Sequence, residues 1–168
     1  DGSQAGDAGA CSAVGFAVSG MQSLLTAVRS AGAANLVLLG GVVGGNALSQ
    51  WTVYKPQDPA NNVAAAWHAF ADSPCSATSC FDSKVAPVAQ LFPVVAAEIG
   101  ESDCQGSFIA SVTSWLDTQG QGYLAFAWDA WPGNCQALIA DYAGTPTVPY
   151  GQAYKNHLEG NPADAGGD

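Results

Sequence analysis

Glu98 closes the apolar run Pro93-Val94-Val95-Ala96-Ala97-Glu98 and is followed by Gly100, an acidic loop holding Glu101 and Asp103, and Cys104. Apolar runs of this length bounded by turn residues fit a strand covered on both faces, as in a parallel sheet. The carboxylate then stands at the C-terminal end of a strand. His68 lies near the end of a second such run, and Trp128-Asp129-Ala130-Trp131 ends a third. An imidazole, a carboxylate and aromatic surface at successive strand ends suit a sugar, because flat rings receive the CH faces of pyranoses while carboxylate and imidazole bond hydroxyls and act on the glycosidic oxygen. Each residue also has a plain structural reading. Glu98 could cap a helix or sit in a loop, and His68 beside Trp67 could be a hydrogen-bonded core residue. Trp128 and Trp131 cannot both point inward if the strand runs through them. Trp115, on a helix face, belongs to the core.

Elements must deliver these groups. The spacing of Ala17, Met21, Leu24, Leu25 and Val28 predicts a helix over residues 14–31, with Gly32 at its C-terminal cap. A strand over 36–39 follows, then a short helix over 47–54 that is broken by Lys55-Pro56-Gln57-Asp58-Pro59. Residues 63–70 form a second strand, 85–91 a short helix, 93–98 the third strand, and 123–128 the fourth. Phe108, Val112, Trp115 and Leu116 repeat at helical spacing between the last two strands, and residues 151–158 make a closing helix. Strand starts recur at about thirty residues, the length of a parallel strand-helix-strand unit. Four such units are half of a closed eight-stranded barrel, which typically runs to about 250 residues.

The chain has 168 residues, 48% hydrophobic and 11% charged, enough for one domain with a core, and no apolar run of membrane-spanning length. Four basic residues against 14 acidic ones give a net charge of -10, so the basic footprint of a nucleic-acid binder is missing. The five cysteines form no CxxC and no cysteine-histidine cluster at zinc spacing, and neither a metal nor a cofactor is expected. Cys75 and Cys80 bracket a short loop and suggest a local disulfide, hence an oxidising, extracellular location for a secreted protein. A Cys104–Cys135 bridge would tie two loops on one rim and leave Cys11 without an intrachain partner. The N-terminus shows no basic stretch followed by an apolar segment, so any signal peptide has been removed or lay further upstream. Segments 1–12 and 160–168 are polar and expected to be flexible, flanking one domain over 13–159.

Trp67-His68-Ala69-Phe70, the segment 93–104, and Gly122-Tyr123-Leu124-Ala125-Phe126-Ala127-Trp128-Asp129 resemble successive strand ends of secreted bacterial cellulases in glycoside hydrolase family 5. The resemblance runs from about residue 20 to residue 158 and takes in 138–147 and Tyr150-Gly151-Gln152. It implies an α/β fold, the C-terminal half of a (β/α)8 barrel, and a retaining endo-β-1,4-glucanase. Glu98 matches the family's nucleophile and His68 its active-site histidine. Phe70, Phe126, Trp128, Trp131 and Asn46 are the implied substrate contacts, with a β-glucan or related polysaccharide as partner. An N-terminal half-barrel or a second copy of the chain would complete the sheet.

The departures are specific. Phe70 stands where the family generally has Tyr and so cannot donate a phenolic hydrogen bond to the nucleophile, Phe126 stands in place of Trp, and Gly44 replaces a frequent aromatic. No Asn-Glu-Pro, the motif of the family's acid/base glutamate, occurs in the sequence. Retaining hydrolysis needs two carboxyl groups about 5–5.5 Å apart, and Glu101, Asp103 or Asp129 would have to cross the cleft to serve as the second. This chain alone is therefore expected to be inactive. The alternative is a non-catalytic carbohydrate-binding or degenerate barrel protein.

Overall fold

The computed structural model describes residues 19–160. One parallel sheet has the strand order β1 (Val37–Gly40), β2 (Val63–Phe70), β3 (Val94–Gly100) and β4 (Gly122–Tyr123). Helices α1 (Met21–Ser30), α2 (Trp51–Tyr54), α3 (Thr78–Cys80), α4 (Ala86–Ala89), α5 (Ser107–Thr118) and α6 (Tyr150–Leu158) alternate with the strands. Among the described residues β1 and β4 each pair on one side, so the sheet is open at both edges. This is the expected part of a (β/α)8 barrel.

Side chains alternate between the two faces of a strand. In β2, Val63, Ala65, Trp67 and Ala69 belong to the core cluster that the helices cover, which leaves Ala64, Ala66, His68 and Phe70 on the opposite, open face. Trp67 anchors the covered side: its ring lies 5.0 Å from Phe81 and 6.3 Å from Trp115, and Trp115 donates from Nε1 to Asp82 at 2.9 Å. Each large ring buried this way contributes roughly 2–3 kcal/mol, which fixes the layer of helices against the sheet. The expectation that Trp115 is core holds.

In β3 the alternation breaks. Trp67 pairs with Ala96 but His68 pairs with Glu98, so Ala97 is an extra residue opposite the step between Trp67 and His68. The β4 side sees the same insertion: Leu124 N–H donates to the Ala96 carbonyl and Phe126 N–H, two residues on, to the Ile99 carbonyl, three residues on. Val94, Ala96 and Ile99 are core residues, whereas Ala97 and Glu98 are both half-buried. Without the bulge, Glu98 would share the covered face with Val94 and Ala96.

Several element boundaries differ from expectation. The helix expected over 14–31 is described from Met21, after extended Gly20, and residues 14–18 lie outside the described residues, as do Cys11 and segments 1–12 and 161–168. The helix over 47–54 is shortened to α2 because Ala47 is held in an antiparallel bridge with Val42. The helix over 85–91 begins earlier, at Thr78, and runs through a π-helical turn, Phe81–Val85, into α4. Pro87 has no N–H and its ring would meet the Ser83 carbonyl in a regular helix, and the wide turn relieves that clash. The fourth strand is the largest correction. Its ladder covers Gly122–Tyr123 alone, because the bulge in β3 spaces the next two bonds unevenly and the chain leaves the sheet after Phe126.

At the N-terminal ends of β1 and β2, Arg29 uses all five donors. Nε and Nη2 bond the two oxygens of Asp58 at 2.8 Å each, Nη1 bonds the Ala33 and Asn35 carbonyls, and Nη2 also bonds that of Asn62. Asp58 further accepts from the N–H groups of Ala60 and Asn62. The Arg29 guanidinium holds the Asp58 carboxyl well below the usual carboxylate range. A group whose pKa is depressed on folding stabilises the fold above its unfolded value and loses that contribution as pH falls through the folded one. Thermal stability should therefore decline as pH drops below about 4. In Asp58→Asn, a pH series of melting curves should show a lower Tm at neutral pH and a smaller acid decline, and an unchanged series would contradict this.

Candidate functional site

The bulge sets Glu98 beside His68 at the C-terminal ends of β3 and β2. Glu98 Oε2 lies 3.5 Å from His68 Nδ1, and the two side chains are 37% and 29% exposed, so the pair is reachable from solvent. Nδ1 and Oε2 are thus placed for a direct contact between imidazole and carboxylate. Glu98 is neither a helix cap nor the last residue of its strand, which continues to Gly100. His68 is also not a core residue: the register that buries Trp67 turns its neighbour to the open face.

Next to the pair runs a shelf of rings. Phe70 and Phe126 meet edge-on at 5.9 Å, and Phe126 meets Trp131 at 5.8 Å. Gly100 makes room for this shelf, since a Cβ there would lie 2.5 Å from Phe70 Cε1. The shelf is held from below by Tyr150, whose buried hydroxyl sits 2.9 Å from the Ile99 carbonyl and 2.7 Å from that of Phe126. Burial, with the Glu101 carboxylate nearby, pushes the Tyr150 phenol far above its usual range, so it stays a proton donor. Sequence reasoning gave Tyr150 no role, although its place just before the closing helix was visible. Trp131 is 37% exposed, and beyond it a cleft of about 660 Å3 is bordered by Asp103, Gln105, Asn134 and Pro149. Trp128 is 72% exposed and lies outside the chain of ring contacts that joins Phe70, Phe126 and Trp131.

Asn46 corrects an expectation. Its side chain is buried, with Nδ2 donating to the His68 carbonyl at 2.9 Å and to the Cys75 carbonyl at 3.3 Å, and Oδ1 accepting from Cys75 N–H at 3.0 Å. An amide spent on three protein groups has no donor left for a ligand. Both expected disulfides are present, Cys75–Cys80 and Cys104–Cys135. The second ties the loop after β3 to the loop that carries Trp131.

Glu101, Asp129 and Asp103 are already engaged. Glu101 is fully buried and accepts from the N–H groups of Gly106, Phe108 at 2.8 Å and Ile109 at 3.2 Å, which makes it the cap of α5. Asp129 accepts from Ala130 N–H at 2.7 Å and from the Tyr142 hydroxyl at 2.8 Å. Asp103 accepts from Gln105 N–H in its own loop. Glu98 is the carboxylate that the described residues pair with an imidazole on the open face.

Comparison with known proteins places the chain in a family. The family model described as cellulase, glycosyl hydrolase family 5, matches residues 15–134. No curated protein sequence matches the chain. Among solved structures, a β-glucanase from Saccharophagus degradans in complex with cellotetraose superposes with a TM-score of 0.62 at 20% identity, over 83% of this chain and 46% of that one. An endo-β-1,4-glucanase from Xanthomonas axonopodis pv. citri gives 0.60 at 17% identity, over 80% and 52%. A β-mannanase from Thermomonospora fusca in complex with mannotriose gives 0.62 at 15%, over 87% and 50%. The chain thus spans about half the length of these structures, and at such identities the likeness speaks for the fold.

Glu101 and Glu98 should separate cleanly on mutation. Glu101→Ala leaves the three α5 N–H groups without their buried acceptor and should cost about 3 kcal/mol of stability, whereas Glu98→Gln, at a half-exposed position, should leave it within about 0.5 kcal/mol. Urea denaturation of the two variants reads the difference. Equal losses would contradict the division between a structural and an available carboxylate.

Proposed function

Because the chain belongs to glycosyl hydrolase family 5, the cellulase family, we propose that it carries the nucleophile side of a retaining β-glycan hydrolase, with a β-1,4-glucan as the substrate and Glu98 as the attacking group. The observation that carries this reading is the bulge that lifts Glu98 out of the core and sets it 3.5 Å from His68 on the open face. In a retaining mechanism the carboxylate attacks the anomeric carbon, the aryl or sugar oxygen departs with a proton from a second carboxyl, and water later releases the glycosyl-enzyme. His68, 3.5 Å from Glu98, orients the carboxylate for attack. Phe70, Phe126 and Trp131 offer apolar surface for pyranose faces, and Trp128 presents a further ring at the rim.

The second carboxyl comes from outside the described residues, since Glu101 caps α5 and the 168 residues contain no Asn-Glu-Pro. Its place is on the strands that would close the sheet beyond β1 and β4, supplied by another polypeptide segment or, for the sheet alone, by a second copy. Leu38 and Leu124, on the outer strand and just beyond β4, are 39% and 56% exposed, which fits such a contact. Two disulfides suit a secreted, extracellular protein. A second reading, a carbohydrate-binding protein without turnover, is favoured by Phe70, which has no hydroxyl with which to hold Glu98.

The chain by itself should not hydrolyse carboxymethylcellulose, because general acid assistance, worth typically about 10²–10⁴-fold, has no donor in place. Supplemented with a separately produced N-terminal half of a relative's barrel, it should turn over, and Glu98→Gln should lower that rate at least about 10³-fold. Robust hydrolysis by the unsupplemented chain would put the acid on Asp103, Asp129 or Glu101. An undiminished rate in Glu98→Gln would remove Glu98 as nucleophile, and tight cello-oligosaccharide binding with no turnover in the supplemented form would favour the second reading.

A further inference from the structure

The loop after β1 treats His68 unlike any other residue of β2. Gly41 N–H still donates to the Ala66 carbonyl at 3.3 Å; the chain then leaves the sheet through residues 42–44, in a turn closed by the reciprocal bonds between Val42 and Ala47. It returns so that His68 N–H donates to the Gly45 carbonyl at 3.0 Å. Gly45 thus occupies the ladder position that a longer β1 would have filled. The next residue takes the other backbone group of His68: Asn46 Nδ2 donates to the His68 carbonyl at 2.9 Å. Consecutive loop residues therefore hold both backbone groups of His68.

The imidazole itself is confined by the first of the two. Gly45 has φ +84, and a Cβ on it would lie 2.6 Å from His68 Cγ and 2.8 Å from Nδ1, so the ring rests directly on glycine backbone. Asn46 is tied down in turn. Its Oδ1 accepts from Cys75 N–H at 3.0 Å, its Nδ2 reaches the Cys75 carbonyl at 3.3 Å, and its own carbonyl accepts from Trp67 Nε1 at 3.1 Å. Cys75 is fixed by its disulfide to Cys80, and Trp67 is the centre of the aromatic core. Asn46 is 4% exposed, and each of its polar atoms has a partner within the protein.

We propose that Asn46 is a positioning residue for His68, acting through the His68 backbone and the Gly45 contact to set the imidazole at its distance from Glu98, with the Cys75–Cys80 loop as anchor. The inference rests on the reading above only in treating the His68–Glu98 pair as functional. The physical reason is stiffness. A buried amide that satisfies three backbone groups cannot be displaced without leaving them unpaired, at roughly 1–3 kcal/mol each. Among the described residues, Glu98 is the titratable group in ion-pair reach of the His68 ring. A contact of 3.5 Å is at the long limit of a hydrogen bond, where small shifts of the ring decide whether the interaction exists.

The test reads the imidazole and not turnover, so it can fail while the glycosidase reading stands, and the reverse. The chain has two histidines, and the second, His157, is held by Asp117 at 2.9 Å and by the Tyr123 hydroxyl at 3.0 Å, which makes it an internal control. In isotope-labelled wild-type protein, the Asn46 side-chain amide protons should exchange at least about 10²-fold more slowly than those of an exposed asparagine. In Asn46→Ala and Asn46→Asp, the His68 ring resonances and the contacts between its ring protons and the Glu98 side chain should change, with His157 unchanged. If neither variant folds, the wild-type exchange rate decides alone. Fast exchange of the Asn46 amide, an unmoved His68, or equal movement of both histidines would overturn the proposal. So would a cellotetraose titration in which the Asn46 side chain shifts more than the His68 ring, which would return Asn46 to the role of a sugar contact.

Discussion

One extra residue in β3 decides on which side of the sheet Glu98 emerges. Because side chains on a strand alternate, a regular β3 would send Val94, Ala96 and Glu98 to the same covered face, and a carboxylate there would meet the apolar cluster around Trp67 and Trp115 without a partner. The insertion at Ala97 reverses the parity from there on, so that Glu98 faces out and Ile99 enters the core. Both neighbouring strands accommodate it: β2 by skipping Ala97 in its pairing, and the segment after β4 by spacing its bonds to Ala96 and Ile99 three residues apart. The short ladder of β4 is a consequence of the same bulge.

A site built on such an irregularity needs stiff surroundings, and the chain provides them with side chains that are not available for chemistry. Glu101 binds the start of α5 to the end of β3, Tyr150 spans the Ile99 and Phe126 carbonyls, and Cys104–Cys135 joins the two loops that flank the ring shelf. On the other flank, Gly45 and Asn46 continue the work of β1 after β1 has ended. The rim is thereby fixed on the covered side by packing and on the loop side by hydrogen bonds, while the open face keeps small or apolar residues such as Ala64, Ala66 and Leu38.

The sequence made some of this legible for definite reasons. The run of residues 63–70 was readable as β2 because it is apolar apart from His68 and bounded by Asn61-Asn62 and the Ser73-Pro74 turn, and α5 was readable from Phe108, Val112, Trp115 and Leu116. The local Cys75–Cys80 bridge followed from spacing. Ala97 carries no such signal, since an alanine next to another alanine looks the same inside a regular strand and in a bulge. Nor does a single residue disclose the fate of Asn46, whose type suits a ligand contact and a buried brace equally; the adjoining Gly44-Gly45 was the hint that the loop there must approach something closely. Strand ends and the family resemblance singled out Glu98 and His68, but the contact between them depends on a register that side-chain types do not encode.

Whether Glu98 attacks an anomeric carbon can be measured on this chain without a general acid. In an activated aryl 2-deoxy-2-fluoro-β-cellobioside the aryl oxide leaves without protonation, and the fluorine slows hydrolysis of the glycosyl-enzyme, so a nucleophile alone suffices to form a stable ester. Incubation of the 168-residue protein with this reagent, followed by proteolysis and peptide mass spectrometry, should place the fluorocellobiosyl group on the Glu98 carboxyl. A label on Glu101, Asp103 or Asp129, or no label under conditions in which cellotetraose binding is seen by NMR, would contradict the account.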